Sequence, residues 1–188
     1  MTDMARSVSQ PEGWQPNDYQ RALLGRLGES DPAQVQAATP ADIRALIAEA
    51  GDDLRTRPAE GEWSIFQCIG HICDAELVIA GRYRWILAHD QPEIVPYDQD
   101  LWANRFHGRQ DEDVELLLST FEALRRADID LWKRTPVSDR ARSGMHLERG
   151  PESYALTFRL TAGHDLVHMD QARQTLARSA AADRPAHG

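Results

Sequence analysis

The sequence predicts an all-α protein, and within that class a four-helix bundle. Three observations lead to this prediction. Four segments repeat apolar residues at helical spacing, no segment alternates apolar and polar residues over a useful length, and one long connection separates the second long helix from the third. Four long helices joined with a crossover of this kind form a bundle.

The length and composition fit one domain with a real core. We predict a flexible lead-in at residues 1–16, a single bundle domain at 17–181 and a tail at 182–188. The formal net charge is −9 and no basic cluster is present, which argues against nucleic acid as a partner. No run of about 18 apolar residues occurs, and residues 1–18 lack the apolar centre of a signal peptide, so we expect a cytoplasmic protein outside the membrane.

The chain begins with a short predicted helix, followed by the first long one. The short helix covers residues 17–27 and ends at Gly28. The first long helix is expected to begin after Thr39, which suits an N-cap, with Pro40 at the first helical position. Apolar residues then recur at helical spacing to about Arg57.

The second long helix has the clearest start signal in the sequence. Ser64 followed by Gln67 is a capping box, and the helix is expected over residues 65–89. Glu76 falls in the centre of the apolar stripe, where a carboxylate needs a partner or must lose its charge. His71 lies on the edge of that stripe, where it can face the interior of a bundle from the side.

The remaining elements are a crossover, a helix, a loop and the last helix. Residues 90–110 form the crossover, and its aromatic part, 97–106, is expected to cover the functional site, with a plain structural crossover as the alternative. The third long helix is expected over 111–134, with acidic residues in its first turn and basic residues in its last. A loop at 135–150 then leads to the fourth helix, predicted from Pro151 to about residue 180.

The fourth helix carries the strongest functional signal. His164 and His168 are four residues apart, so both side chains point from one helical face and can reach one metal ion. A polar stripe continues along this face: Thr157, Thr161, His164, His168, Gln171 and Thr175. Because apolar residues flank the stripe on both sides, it predicts a polar or metal-filled cavity inside the bundle. The alternative is a surface helix with two ordinary histidines.

His71 is the third candidate ligand, since histidines from two helices can converge in a bundle core. Three histidine ligands leave a coordination position free, as catalytic metal sites do. Cys68, one turn before His71, is the nearest rival ligand, although a buried free cysteine is more often inert. Cys68 and Cys73 lie on different faces of one helix and are not expected to pair.

Other polar residues are weaker candidates. Glu76 is either a buried paired acid or a group beside the site or an interface. Asn104 and Arg105 could contact a substrate, and Arg149 could bind an anion, although an exposed arginine is the ordinary case. The remaining histidines are expected in solvated loops or ends: His89, His107, His146 and His187.

From about Pro40 to Leu176 the chain resembles the DinB/YfiT-like superfamily of bacterial four-helix proteins. Each matching motif is short, and their order and spacing together carry the resemblance. The matching residues are Glu62-Trp63-Ser64-Ile65, His71-Ile72-Cys73-Asp74-Ala75-Glu76, Tyr97-Asp98, Trp102-Ala103, Gly163-His164-Asp165-Leu166-Val167-His168, Gln171 and Arg173.

The resemblance implies a metal site, an assembly and two kinds of chemistry. The family's three histidine ligands correspond to His71, His164 and His168, and the bound divalent ion is commonly zinc or nickel. A homodimer is implied as well, and Glu76 in its apolar stripe is an expected contributor. Some relatives are thiol-S-transferases that use a low-molecular-weight thiol as co-substrate. The expected function is a metal-dependent transferase or hydrolase acting on a small molecule; the alternative is a non-catalytic or stress-response protein with a structural metal.

Overall fold

The structure is a computed structural model that describes residues 15–182. Six α-helices, two short 3₁₀ helices and three short strands follow one another in this part of the chain. In order they are α1 (Asp18–Leu27), α2 (Pro32–Ala50), a 3₁₀ helix (Gly51–Arg55), α3 (Ile65–Ala88), β1 (Glu93–Ile94), α4 (Gln99–Arg105), α5 (Val114–Arg134), a second 3₁₀ helix (Val137–Ala141), β2 (Ser143–His146), β3 (Gly150–Ser153) and α6 (Tyr154–Ala182).

Helices α2, α3, α5 and α6 form the bundle, which confirms the predicted fold class. Helix α6 packs against α2 and α3, and α5 packs against the same two helices from the other side. Consecutive helices α2 and α3 are therefore diagonal neighbours. The predicted domain boundaries stay predictions, and residues 1–14 and 183–188 lie outside the described part.

Helix α1 is a fifth helix that leans on α6. The two helices meet at Gly163, where an added Cβ would lie 2.2 Å from the backbone oxygen of Leu23. Only glycine allows so close an approach of two backbones. This contact places α1 beside the first of the two histidines on α6.

The main core lies between the four bundle helices. It contains fully buried residues such as Ile43, Ile69 and Phe121. Cys68 and Cys73 belong to the same core as free thiols, so the expectation that they do not pair is confirmed. None of the helices in the described part of the chain combines the length and apolar character that a bilayer crossing requires.

The predicted start of the first long helix is wrong. Helix α2 begins at Pro32 after an Asp31 N-cap, so Thr39 and Pro40 lie inside it. A proline there has no N–H to donate to the carbonyl oxygen of Gln36, four residues earlier. The side chain of Arg125 donates to that oxygen instead, at 3.1 Å. A contact from a distant helix therefore compensates for the proline.

Other helix ends differ by smaller amounts. The capping box at Ser64 is present as predicted, and α3 ends within one residue of the expected position. Helix α2 ends at Ala50, because Gly51 has a positive φ and caps it, and the expected continuation to about Arg57 is the 3₁₀ helix Gly51–Arg55 instead. Helix α5 begins at Val114 after an Asp113 N-cap. Pro151 does not start the last helix, since it belongs to β3.

A small sheet corrects the expectation that the chain has no strands. Strand β1 pairs in parallel with β2, and β2 pairs antiparallel with β3. The strands have two to four residues, which is too few for an alternating pattern to show. The sheet ties the crossover to the loop before α6. His146 in β2 is 1% exposed, so the prediction that it is solvated is wrong.

His107, also expected in solvent, is buried where the crossover returns to the bundle. Its ring nitrogens lie 3.0 Å from a carboxylate oxygen of Asp74 and 2.8 Å from one of Glu112. Gly70 leaves room for the ring, because a Cβ there would lie 2.2 Å from it. His89 is exposed as predicted, and His187 lies outside the described residues.

Candidate metal centre

Three histidines from two helices meet inside the bundle. His71 comes from α3, and His164 and His168 come from successive turns of α6. One ligand atom from each ring lies within 4.8 Å of the other two. The Nε2 atoms of His71 and His164 are 2.9 Å apart, and the rings of His71 and His168 are 4.4 Å apart between centroids. The structure thus brings together the residues that the sequence selected.

The polar face of α6 is buried, as its pattern predicts. Thr157 and Thr161 are at most 5% exposed, and their hydroxyls donate to carbonyl oxygens one turn earlier in the chain. Thr161 is also 3.0 Å from the hydroxyl of Tyr83. These bonds satisfy the hydroxyls without using the histidines. The threonine hydroxyls therefore do not occupy the imidazole nitrogens.

The histidine cluster fits a divalent metal ion. Burial lowers the pKa of His71 to about 3, lowers that of His164 well below its usual range, and lowers that of His168. The rings are therefore neutral near pH 7, which is the form that binds metal. Nitrogens at 2.0–2.1 Å from one tetrahedral ion lie about 3.3 Å apart, close to the spacing of the two facing Nε2 atoms.

A hydrogen bond fixes the orientation of His168. Its Nδ1 donates to Oε1 of Gln171 at 2.9 Å, so Nε2 carries the lone pair. Partners of this kind hold metal-binding histidines in the required tautomer. Trp63 covers the other side, with its ring centroid 5.1 Å from that of His71 and 6.1 Å from that of His168. Packing and hydrogen bonding together restrict the ring positions.

The predicted covering segment lies beside the site. The ring of Tyr97 is 6.4 Å from that of His71, and Trp102 is 4.7 Å from Tyr97 on the far side. Tyr97 and Gln99 line the space next to the histidines. The segment is not a bare loop, since Gln99–Arg105 forms α4. Tyr97, just before that helix, is the aromatic residue that lines the space next to the histidines, and Trp102 of α4 packs on Tyr97.

A cavity of about 380 Å³ opens from the histidines towards α1 and the sheet. His71 and His164 lie at one end, and Arg82, Arg149 and Glu152 lie among its other lining residues. A second cavity of about 390 Å³ is lined by His168 and Gln171, and Gln99 lines both cavities. The cluster thus borders two cavities.

Arg149 is not the free surface arginine that the sequence favoured. Its Nε donates to Glu152 at 2.6 Å, and its Nη2 donates to the second carboxylate oxygen at 3.1 Å. Gln20 of α1 also donates to Glu152, at 2.9 Å. Burial would raise the pKa of Glu152, but these hydrogen bonds and the charge of Arg149 hold it below its usual range. The pair forms a fixed, neutral part of the cavity wall.

Arg82 is a cavity residue that sequence reasoning missed. It is 5% exposed, and its Nη2 donates to the carbonyl oxygen of Val95 at 2.9 Å. The sequence contains a pattern that places Arg82 on the same helical face as His71. The residues His71, Ala75, Ile79 and Arg82 follow one another at steps of four, four and three. All four residues line the cavity.

Glu76 belongs to a buried charge cluster behind the site. Its Oε2 lies 2.9 Å from Nη2 of Arg125, which also pairs with Asp165. Thr39 of α2 donates to Asp165 at 2.8 Å, so the cluster joins four helices next to His164. Glu76 is thus the buried paired acid that the sequence offered as one alternative. It is 1% exposed within a single chain, which removes it as a reason to expect a dimer.

Two further candidates lie outside the site. Cys68 is fully buried in the core, and burial raises the pKa of its thiol to about 12. It is not part of the histidine cluster among the described residues. Asn104 bonds to Gln67 and Arg57, and it holds α4 in place rather than lining either cavity. Arg105 is exposed at the end of α4.

Comparison with known proteins agrees with this picture. Residues 36–172 match the model of the family described as the DinB superfamily. A protein of Oceanobacillus iheyensis named "putative metal-dependent hydrolase" is 27% identical over 63% of this chain and 67% of its own. One of the same name from Geobacillus thermodenitrificans is 32% identical over 37% of this chain and 40% of its own.

A solved structure shows the same fold. YfiT from Bacillus subtilis, described as "a probable metal-dependent hydrolase with an unusual four-helix bundle topology", superposes with a TM-score of 0.71 at 17% identity. The match covers 93% of this chain and 95% of the other.

Proposed function

The chain belongs to the DinB superfamily, and from this premise we propose that it is a metal-dependent hydrolase of a small molecule. The proposed ligands of a divalent ion are His71, His164 and His168. The observation that carries the proposal is their convergence, in neutral form, at one end of a cavity large enough for a small organic molecule. The names of the relatives support the reaction class.

When bound, such an ion keeps a coordination position for water and lowers the pKa of that water towards neutrality. The protein residues have supporting tasks. Gln171 holds His168 in the tautomer that exposes Nε2, and Trp63 packs against two of the rings. Burial raises the pKa of Tyr97, so its hydroxyl stays protonated and can donate a hydrogen bond to a substrate in the cavity.

Thiol transfer is the second candidate, because a metal also makes a thiolate available near neutral pH. One observation favours an external thiol over an internal one. Burial raises the pKa of both Cys68 and Cys73, so neither thiol of the chain supplies a thiolate. The second cavity gives a route to His168, next to Gln171. A low-molecular-weight thiol would fit that route.

The first test is metal content. After loading with zinc or nickel and dialysis, elemental analysis should find about one ion per chain in the wild type. Each change of a proposed ligand, His71→Ala, His164→Ala or His168→Ala, should weaken binding more than about 100-fold, since outer-shell partners alone are worth 10–100-fold. His89→Ala is the matched control, because His89 is exposed at the end of α3. Full metal retention in all three ligand variants would refute the site.

The second test separates the functions. Metal-loaded protein is assayed with activated esters in water, and with an electrophilic aryl halide plus a low-molecular-weight thiol. Ester turnover that His164→Ala abolishes supports hydrolysis, and thiol-dependent turnover supports transfer. Absence of both activities, together with unfolding on chelation in circular dichroism, would point to the non-catalytic alternative with a structural metal.

A further inference from the structure

Arg82 carries a buried charge that none of the described residues neutralises directly. It is 5% exposed, and within the described residues its hydrogen bond goes to a backbone carbonyl, that of Val95. None of the carboxylates in that part of the chain lies within ion-pair distance of it. An arginine keeps its proton at any ordinary pH. A buried charge left in this state costs free energy unless a ligand pairs with it.

The second arginine of the cavity shows the contrast. Arg149 is bound at two points by Glu152, and its guanidinium carbon lies 5.5 Å from the ring centroid of Tyr19. The N–H groups of Arg149 that face Glu152 are therefore already hydrogen-bonded. Arg82 lies close enough to feel the charges of Arg149 and Glu152, but it does not share that carboxylate. Of the two arginines, Arg82 is the one with donors left for a ligand.

The charges in the cavity also favour a negatively charged ligand. Arg82 and Arg149 are positive and Glu152 is negative, while Glu148 is exposed at the rim. Burial lowers the pKa of nearby His146 to about 4, so this ring adds no charge. One positive charge therefore remains inside. Three neutral histidine ligands leave the charge of a bound divalent ion uncompensated as well, which further favours an anion.

The rest of the cavity wall combines apolar side chains with neutral polar ones. Leu23, Ala75, Ile79 and Leu160 line it between the polar groups. A volume of about 380 Å³ suits a small organic molecule rather than a polymer. One planar guanidinium matches a single carboxylate in a two-point contact. A phosphate would bring a second negative charge, and the other arginine of the cavity, Arg149, is already paired with Glu152.

Building on the proposed function, we infer that Arg82 is a specificity residue and that the substrate is a small organic acid. Its carboxylate pairs with Arg82, and its apolar body lies along Ile79 and Leu160 towards the histidines. The reacting group then faces His71 and His164 at the other end of the cavity. The pairing removes the unpaired buried charge and fixes the direction in which the molecule enters.

The test compares hexanoate with hexanamide, its neutral analogue of similar shape, by isothermal titration calorimetry. Both probes are titrated into metal-free and zinc-loaded protein, and the metal content of each sample is measured. Hexanoate should bind at least tenfold more tightly than hexanamide in both forms. Arg82→Gln should abolish this preference, and Arg82→Lys should retain part of it because the charge remains. Arg109→Gln, an exposed arginine outside the cavity, is the matched control and should leave the preference unchanged.

Several outcomes would overturn the inference. One is equal binding of hexanoate and hexanamide to the wild type. Another is a preference seen only with zinc and kept in Arg82→Gln, which would place the carboxylate on the ion. Tighter binding of hexyl phosphate through Arg82 would overturn the choice of a carboxylate. Absence of bound zinc would instead refute the proposed function, while the metal-free titration would still test Arg82.

Discussion

Replacing Glu76 by glutamine should stabilise the protein above neutral pH. Glu76 and Asp165 share one guanidinium, that of Arg125, and all three side chains are almost fully buried. Asp165 holds two of the guanidinium nitrogens by hydrogen bonds. The cluster therefore contains one more carboxylate than it has positive charge. Glutamine has nearly the same shape as glutamate and removes the surplus charge.

The magnitude follows from the pKa of Glu76. Burial, with the charges of Asp165 and Asp128, outweighs the attraction of Arg125 and raises this pKa from 4.5 to about 7. Between these values the folded state holds a proton that the unfolded state has lost. The free energy of unfolding of the wild type therefore falls as pH rises, by about 1.4 kcal/mol per pH unit and about 3 kcal/mol in total. The glutamine variant lacks this decrease.

The assay is urea unfolding followed by circular dichroism at pH 5, 6, 7 and 8. The difference in unfolding free energy between Glu76→Gln and the wild type should grow by about 2.5 kcal/mol in favour of the variant over this range. Glu115→Gln is the control, because Glu115 makes an exposed ion pair with Arg44 that contributes little to stability. A pH-independent difference, or a variant less stable than the wild type at pH 8, would refute the reasoning.

Three further predictions concern packing, pH and assembly. Gly163→Ala should lower the free energy of unfolding by roughly 1–3 kcal/mol, because the added Cβ would meet the backbone of Leu23. Gly25→Ala is the control and should be neutral or stabilising, because a Cβ at Gly25 has open space. Thermal unfolding compares the two variants. Burial lowers the pKa of His107, but hydrogen bonds to two carboxylates outweigh it and raise the pKa above its usual value. The charged ring therefore contributes full stability below about pH 6.5, and the contribution disappears as pH rises through the folded-state pKa; His107→Gln should lack this pH dependence in urea unfolding. Light scattering at micromolar concentration should give the mass of a homodimer, and a monomer mass would contradict that prediction.

Local signals in the sequence predicted the parts of the fold that depend on local physics. The capping box at Ser64 needs only residues within one turn, and it marked the start of α3 correctly. Pro40 was misread because the hydrogen bond that makes it tolerable in α2 comes from Arg125, 85 residues later in the sequence. His107 was misread for the same reason, since its partner Asp74 lies on α3. Sequence spacing contains no information about such contacts.

Sequence analysis selected the three histidines that converge in the structure, but it did not select Arg82 in the wall of the adjoining cavity. The spacing of His164 and His168 on one polar face of α6 made them candidate ligands, the position of His71 at the edge of the α3 stripe made it the third, and the family resemblance supported the set. Arg82 lies on the same face of α3 as His71, but a single arginine in an amphipathic helix ordinarily faces solvent. Its importance depends on the absence of a carboxylate nearby, and only the three-dimensional arrangement of the described residues shows that.

The contact of α1 with Gly163 brings residues from outside the family match next to the candidate metal centre. Helix α1 precedes residues 36–172, which carry the family match, yet Asn17, Tyr19 and Leu23 form part of the cavity wall. All three histidines lie within the matched region. Part of the cavity wall thus comes from outside the stretch that carries the family match, whereas Arg82 and the candidate metal ligands lie inside it. A change in α1 would therefore alter the shape of the cavity while leaving the three histidines and Arg82 intact.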